Sequence, residues 1–415
     1  MMRTAVNKEL LAGLTSYFTS VYVIVVNAII LADAGIPLEA GITATALTAF
    51  VGCLLMAFWA KAPVILVPGM GINAFFTYTV VRTMGLSWQE ALAAVFLSGL
   101  IFCLIAFTKL AQLLSQAIPA SLKEAISVGI GLFLIFIGLQ KGGIIVNNES
   151  TFVALGDLGS LPVLVTVIGL VLNIVLHVKN IKGSFLIGIV TSSLIAWLFG
   201  LIDLSGMQWE GISFTEYSTV VGSLSFADLG QFGFWMATFS FTMVIVFENM
   251  GLLHSLLEDK QKFSRAYQAN AISVMGAGLL GSSPTVSAVE SAAGIAAGGK
   301  TGTTAITTGL LFLLTLFFIP VIKMIPDQAV APVLIIIGGL MVQNIRHLPL
   351  QDFSQAFPAI LIIALIPLTY SIVDGIGFGF IAYVLIQFAR RKVRELPLTL
   401  IFISALFLLN FIVQA

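Results

Sequence analysis

The sequence predicts an all-α polytopic membrane protein of about fourteen transmembrane helices, and three observations carry that prediction. Hydrophobic residues fill 59% of the 415 positions and charged residues only 9%, where soluble domains carry about a quarter charged. Apolar runs long enough for a helix to cross a bilayer, roughly 20 residues each, recur along the whole chain. The cationic residues fall in alternate loops, as a chain crossing the membrane many times requires. Mean hydropathy is +1.09.

The first span runs over about 10–32, after a tail, Met1-Met2-Arg3-Thr4-Ala5-Val6-Asn7-Lys8-Glu9, without a small-residue cleavage site. That tail reads as cytosolic, not as a signal peptide. Spans follow at about 41–60, 64–83, 88–108, 121–140, 161–178 and 184–202. Beyond a loop at 203–232 come 233–256, 266–282, 285–298, 303–322, 330–345, 356–371 and 374–389. A further apolar run at 397–413 either spans or lies on the inner surface.

With the N-terminus in the cytosol and alternation through every span, sixteen of the nineteen Lys and Arg lie inside. They run from Arg3, Lys8, Lys61 and Lys109 to Arg390, Arg391, Lys392 and Arg394. Only Arg82, Lys141 and Lys323 lie outside. The outer loop 203–232 agrees, with Asp203, Glu210, Glu216 and Asp228 and no Lys or Arg. That loop divides the chain into two sets of seven spans. Seven is odd, so the second set starts from the opposite side, which permits an inverted repeat.

The third span opens at Val67-Pro68-Gly69-Met70-Gly71-Ile72-Asn73, too rich in Gly and Pro for an ordinary helix at that depth. The tenth, its counterpart, opens at Gly281-Ser282-Ser283-Pro284-Thr285-Val286-Ser287 and ends by Gly298-Gly299. Paired interrupted spans mark a binding site near the membrane midplane. Broken backbone is tolerated there only when it is buried in protein or lines a cavity. Helix starts at Asn73 and near Ser287 would aim free N–H groups at that site. Phe75, Phe76 and Tyr78 follow the first break and offer faces for a planar ring.

Two acids lie inside spans: Glu248 in the eighth and Glu290 in the tenth. A charge at the bilayer centre costs roughly 2.5–3.5 kcal/mol on insertion scales, so such residues usually bind substrate or carry protons. Asp374 falls at an outer turn, where a helix N-cap accounts for it. His177, His254 and His347 sit at inner span ends, unpaired at metal-ligand spacing; His254 alone could extend a proton path. Cys53 and Cys103 read as small core residues. Zero net charge gives no field for nucleic acid. No His-Glu-x-x-His, Gly-x-Ser-x-Gly or His/Asp ligand pair argues for an enzyme, so no catalytic residue, metal site or cofactor is expected.

The chain resembles the nucleobase–cation symporter 2 family (the nucleobase–ascorbate transporter superfamily), and within it the AzgA-like hypoxanthine/guanine/adenine permease branch. The matching stretches are Gly13-Leu14-Thr15-Ser16-Tyr17-Phe18-Thr19, Val26-Asn27, Pro68-Gly69-Met70-Gly71-Ile72-Asn73-Ala74-Phe75-Phe76, Ser121-Leu122-Lys123 with Gly129-Ile130-Gly131-Leu132-Phe133, Ile137-Gly138-Leu139-Gln140, and Glu290-Ser291-Ala292-Ala293-Gly294 through Gly298-Gly299-Lys300-Thr301-Gly302. The resemblance implies two inverted sevens split into a core (1–110 and 233–325) and a gate (111–232 and 326–415). Short strands would precede half-helices 3 and 10. It implies that Glu248 and Glu290 hydrogen-bond the base and couple to the proton, and the residues beside the two breaks, Asn73, Gly71, Phe75, Ser287 and Ser291, complete the expected substrate contacts. One departure stands out: the branch's acid-Thr-x-Gly-Thr run reads Glu248-Asn249-Met250-Gly251-Leu252 here, which leaves the purine preference open.

The expected function is a proton symporter importing purine nucleobases through the cytoplasmic membrane by elevator-like motion. A homodimer through the gate domains is implied, with the lipid bilayer as surroundings. The alternatives are an anion exchanger or channel on the same fold, which fixed carboxylates oppose, and a permease for uracil or xanthine.

Overall fold

The computed structural model describes residues 2–108, 110–111, 118–202, 214–392 and 396–414. Part of the predicted acidic loop (203–213) and the cations Lys109 and Arg394 lie outside these residues. Among the described residues, nine helices are long and apolar enough to cross a membrane. The shorter helices and two broken segments complete fourteen spans at the predicted places.

The chain begins with α1 (Met2–Ser20) and α2 (Tyr22–Asp33), then α3 (Leu38–Leu55) with a π-helical turn over Met56–Ala60. Strand β1 (Leu66–Pro68) leads into α4 (Met70–Ala74), which continues as a π-helix through Thr83; α5 is Trp88–Phe107. A Ser87–Glu90 capping box starts α5, satisfying two end N–H groups at once. Next come α6 (Ala120–Lys141), a hairpin of β2 (Ile145–Asn148) and β3 (Phe152–Leu155), α7 (Leu161–Val178) and α8 (Ser184–Leu198). The second half repeats the plan: α9 (Phe232–Leu256), α10 (Phe263–Leu280), β4 (Thr285–Ser287), α11 (Ser291–Ala296) and α12 (Gly302–Leu314, extended by short turns to Ile322). It ends with α13 (Asp327–Val342), α14 (Phe353–Thr369), α15 (Ile372–Ala389) and α16 (Leu398–Gln414).

The first span is one long helix over Val6–Asp33, with a turn at Val21 whose backbone stays helical. Two features depart from the sequence reading, the helix starts beside the breaks and the cap of α15. As the resemblance implied, short strands precede half-helices 3 and 10, and they pair antiparallel, Leu66 opposite Ser287 and Pro68 opposite Thr285. Helix therefore begins at Met70 and Ser291, not at Asn73 and Ser287. Gly69 is the last extended residue of the first break, and Ser287 is held in the strand ladder. Ser371, not Asp374, is the N-cap of α15: its hydroxyl accepts the Asp374 N–H at 3.2 Å.

The helices pack in two groups. In one, α10 lies on α5 and α3, α12 on α1 and α3, and α9 on α5. In the other, α6 lies between α13 and α14, α7 against α8 and α13, and α15 against α14 and α16. Small residues set the approach: a Cβ at Gly131 of α6 would stand 2.7 Å from the Gly338 carbonyl of α13. Contacts between the groups are sparser, chiefly α4 and α9 on α6 and α8 on α1 and α2.

Candidate functional site

The β1–β4 pair lies fully buried between the two halves of the chain. At membrane depth every backbone polar group there needs a partner from the protein. The Gly69 N–H donates to the Pro284 carbonyl at 3.1 Å and the Ala288 N–H to the Ile65 carbonyl at 3.0 Å. The Ile65 N–H donates to Ser291 Oγ at 3.0 Å. On the other side, the Ser287 N–H donates to Asn249 Oδ1 at 2.8 Å. Asn270 Nδ2 donates both to Asn249 Oδ1 (2.5 Å) and to Ser287 Oγ (2.9 Å). The strand is thus pinned to α9 one residue beyond Glu248.

Asn27 of α2 braces the approach to β4. Its Oδ1 accepts from Ser283 Oγ at 2.9 Å, and its Nδ2 donates to Thr45 Oγ1 at 2.8 Å. Its carbonyl accepts from Asn73 Nδ2 at 3.3 Å. Asn73 is buried, and its Oδ1 has no partner among the described residues.

Glu290 sits in the turn between β4 and α11, half-buried. Its Oε1 accepts a hydrogen bond from the hydroxyl of Tyr22, in the middle of the first span, at 2.5 Å. Glu248 on α9 is also half-buried, and no group among the described residues donates to its carboxylate. Neither acid is ion-paired there. Neighbouring Phe247 carries Lys123 Nζ over its ring, 5.5 Å from the centroid. The surface around Glu290 is open: Val289 is 61% exposed, and Ala292 is exposed too.

The remaining predicted residues take distinct places. Gly71 faces the second helix group, where a Cβ would meet Ile130 of α6 at 2.5 Å and Met341 of α13 at 3.6 Å. Phe75 is buried against Phe241 of α9, ring centroids 4.5 Å apart. His254 stacks on Phe263 at 4.2 Å, at the end of α9. Three residues were missed by a search for charge: Tyr22, Asn249 and Asn270. The signal was polarity inside apolar runs, and amides and phenols carry it as well as acids do.

A second polar cluster lies where the predicted topology puts the outer face. Lys141 of α6 bridges Asp33 of α2 at 2.7 Å and Asp327 of α13 at 3.0 Å. The Tyr78 hydroxyl donates to Asp33 at 2.6 Å, and Thr79 Oγ1 donates to the Tyr370 carbonyl at 3.1 Å. A cavity of about 470 Å³ opens there, lined by Asp33, Arg82, Gln140, Lys141 and Tyr370 among others. Its polar groups are largely bonded to one another, with Arg82 Nε donating to the Asp33 carbonyl at 2.8 Å and the Tyr370 hydroxyl to Gln140.

Comparison with known proteins places this arrangement in context. A model described as Permease family matches residues 7–378. A nucleobase transporter of Paenibacillus larvae subsp. larvae, PlAzg2, is 50% identical over 91% of this chain and 77% of its own length. The guanine/hypoxanthine permease PbuO of Bacillus subtilis is 37% identical over 99% of this chain and 98% of its own. Among solved structures, the transmembrane domain of a cyanobacterial bicarbonate transporter, BicA, superposes with a TM-score of 0.66 at 16% identity. It covers 91% of this chain and 97% of that one. At that identity the likeness is one of fold.

Proposed function

Since the chain belongs to the Permease family, that of the nucleobase–ascorbate transporters, and is a membrane permease and not an enzyme, we propose that it imports purine nucleobases by proton symport. Hypoxanthine, guanine and adenine are the expected cargo, and the cell membrane the expected location. The observation that carries this reading is the pair of carboxylates, Glu248 and Glu290, inside spans, half-buried and, among the described residues, without a cation in ion-pair reach. A neutral purine offers ring N–H and amine donors, and a carboxylate accepts them with charge-assisted strength. The free Oδ1 of Asn73 adds a neutral acceptor. An anion would meet repulsion at both acids, so the fold shared with a bicarbonate transporter does not extend to its cargo.

In this reading Glu290 grips the base, Phe75 packs behind the site, and Gly71 lets α4 lie close on α6. Ser287 and Ser291 hold the strands, since their hydroxyls are already bonded to Asn270 and Ile65. Glu248 takes the proton. Its neutralisation together with substrate binding removes the charge that would otherwise oppose movement through a dry interface. The moving body is the group containing α1–α5 and α9–α12, the core; the group of α6–α8 and α13–α16 is the gate. The sparse packing between them supports that division, and the Lys141 cluster closes the outer mouth across it. Two copies paired through their gates would anchor the frame.

The test is uptake of a nucleobase panel into proteoliposomes, with and without an imposed proton gradient and a protonophore. Accumulation of a purine that collapses with the protonophore is the expected result. Sodium-dependent accumulation without proton dependence overturns the coupling, and bicarbonate or sulfate exchange without purine counterflow overturns the substrate.

A further inference from the structure

Tyr22 is the first residue of α2, in the middle of the first span. It is 2% exposed, and a buried phenol needs an acceptor. The one it has is Glu290, 268 positions away in sequence. Its ring stands edge-on to Phe185 of α8, centroids 5.0 Å apart. Phe185 in turn stacks on His177 of α7 at 5.7 Å. Gly183, at φ +74°, starts α8 so close to α1 that a Cβ would lie 3.0 Å from the Phe18 carbonyl. The start of α8 therefore rests on the first span around Phe18 and Tyr22.

We propose that Tyr22 is a positioning residue for Glu290: its hydroxyl fixes Oε1 and leaves Oε2 as the substrate acceptor, while Phe185 holds the Tyr22 ring in place. This rests on the reading of Glu290 as a substrate ligand. Among the described residues, only the Glu290 backbone N–H reaches this carboxylate apart from Tyr22, and a carboxylate so lightly held on a short turn beside an open surface keeps much of its side-chain rotation. One strong donor removes most of that freedom before the ligand arrives, so binding costs less ordering. Phe185 belongs to the gate and Tyr22 to the core. Displacement of one against the other withdraws the ring support, so the substrate acceptor is ordered in one arrangement of the two groups and loosened in the other.

Tyr22→Phe keeps the ring and its Phe185 contact and removes only the hydroxyl. For whichever purine the unaltered protein takes up, KM should rise about five- to tenfold, with maximal uptake per membrane-inserted protein within about twofold. In a Glu290→Gln background the same change should add nothing, because the two residues act as a unit. Phe185→Leu should raise KM with Tyr22 present and leave it unchanged in Tyr22→Phe. An unchanged KM in Tyr22→Phe, with a raised KM in Glu290→Gln, overturns the positioning role and leaves the site standing. Additive effects in the double variant overturn it as well. An unchanged KM in Glu290→Gln overturns the reading of the site itself. If Tyr22→Phe does not insert, Phe185→Leu in the otherwise unaltered protein decides: a raised KM there, absent in a Glu290→Gln background, supports the proposal, and a normal KM overturns it.

Discussion

At the scale of single residues, the two acids differ in what the protein already gives them. Glu290 has one oxygen bonded to Tyr22, whereas no described group donates to Glu248. A carboxylate left without donors is poised to accept either a proton or a ligand. Glu248→Gln mimics the protonated form, so exchange of labelled purine at equal pH should persist while accumulation under a proton gradient is lost. Full accumulation in that variant would move the coupling site to Glu290. Loss of both activities would place Glu248 in substrate binding. Glu290→Gln removes the charge and one acceptor, and binding should weaken by about 1.5–3 kcal/mol, read as a dissociation constant on purified protein. Both acids stood out in the sequence because charge inside an apolar span is rare. Tyr22 did not, because a tyrosine in such a span is ordinary and its partner lies in the other half of the chain.

At the scale of elements, the spans were legible because length and apolarity define them. The Gly and Pro of 67–71 and 281–284 marked the broken ones. Their strand pairing followed only from the family resemblance, since three residues are too few for a period. The departure at Asn249 has a structural account: its amide accepts from the Ser287 backbone and from Asn270. Asn249→Ala strands those donors in a buried place, at a cost of about 1–3 kcal/mol. A lower thermal midpoint of the purified protein should follow, and an unchanged one would show that the strand holds without α9.

At the scale of the whole molecule, the parity of seven spans per half and the loop charges led to the inverted repeat. Which helices form each packed group was beyond them, since helix partners depend on side-chain fit between distant segments. The two groups are tied at the predicted outer face by Lys141, whose side chain is only 11% exposed. Lys141→Met removes both ion pairs and keeps the apolar stem. A cysteine placed at Thr79, in a background lacking Cys53 and Cys103, should then react faster with a membrane-impermeant thiol reagent added outside. Unchanged reactivity would mean that aromatic and backbone contacts alone keep this face shut.

The ladder between Leu66–Pro68 and Thr285–Ser287 spans more than two hundred positions of sequence. Ribosomes add about 5–20 residues per second, so the first strand is made about 10–45 s before its partner. During that interval its amides and carbonyls are in the membrane without the groups that later satisfy them. The nascent first half therefore depends on the translocation machinery, or on water drawn in beside it, to shelter an unfinished edge. Neither half can reach its final form before the other has been synthesised.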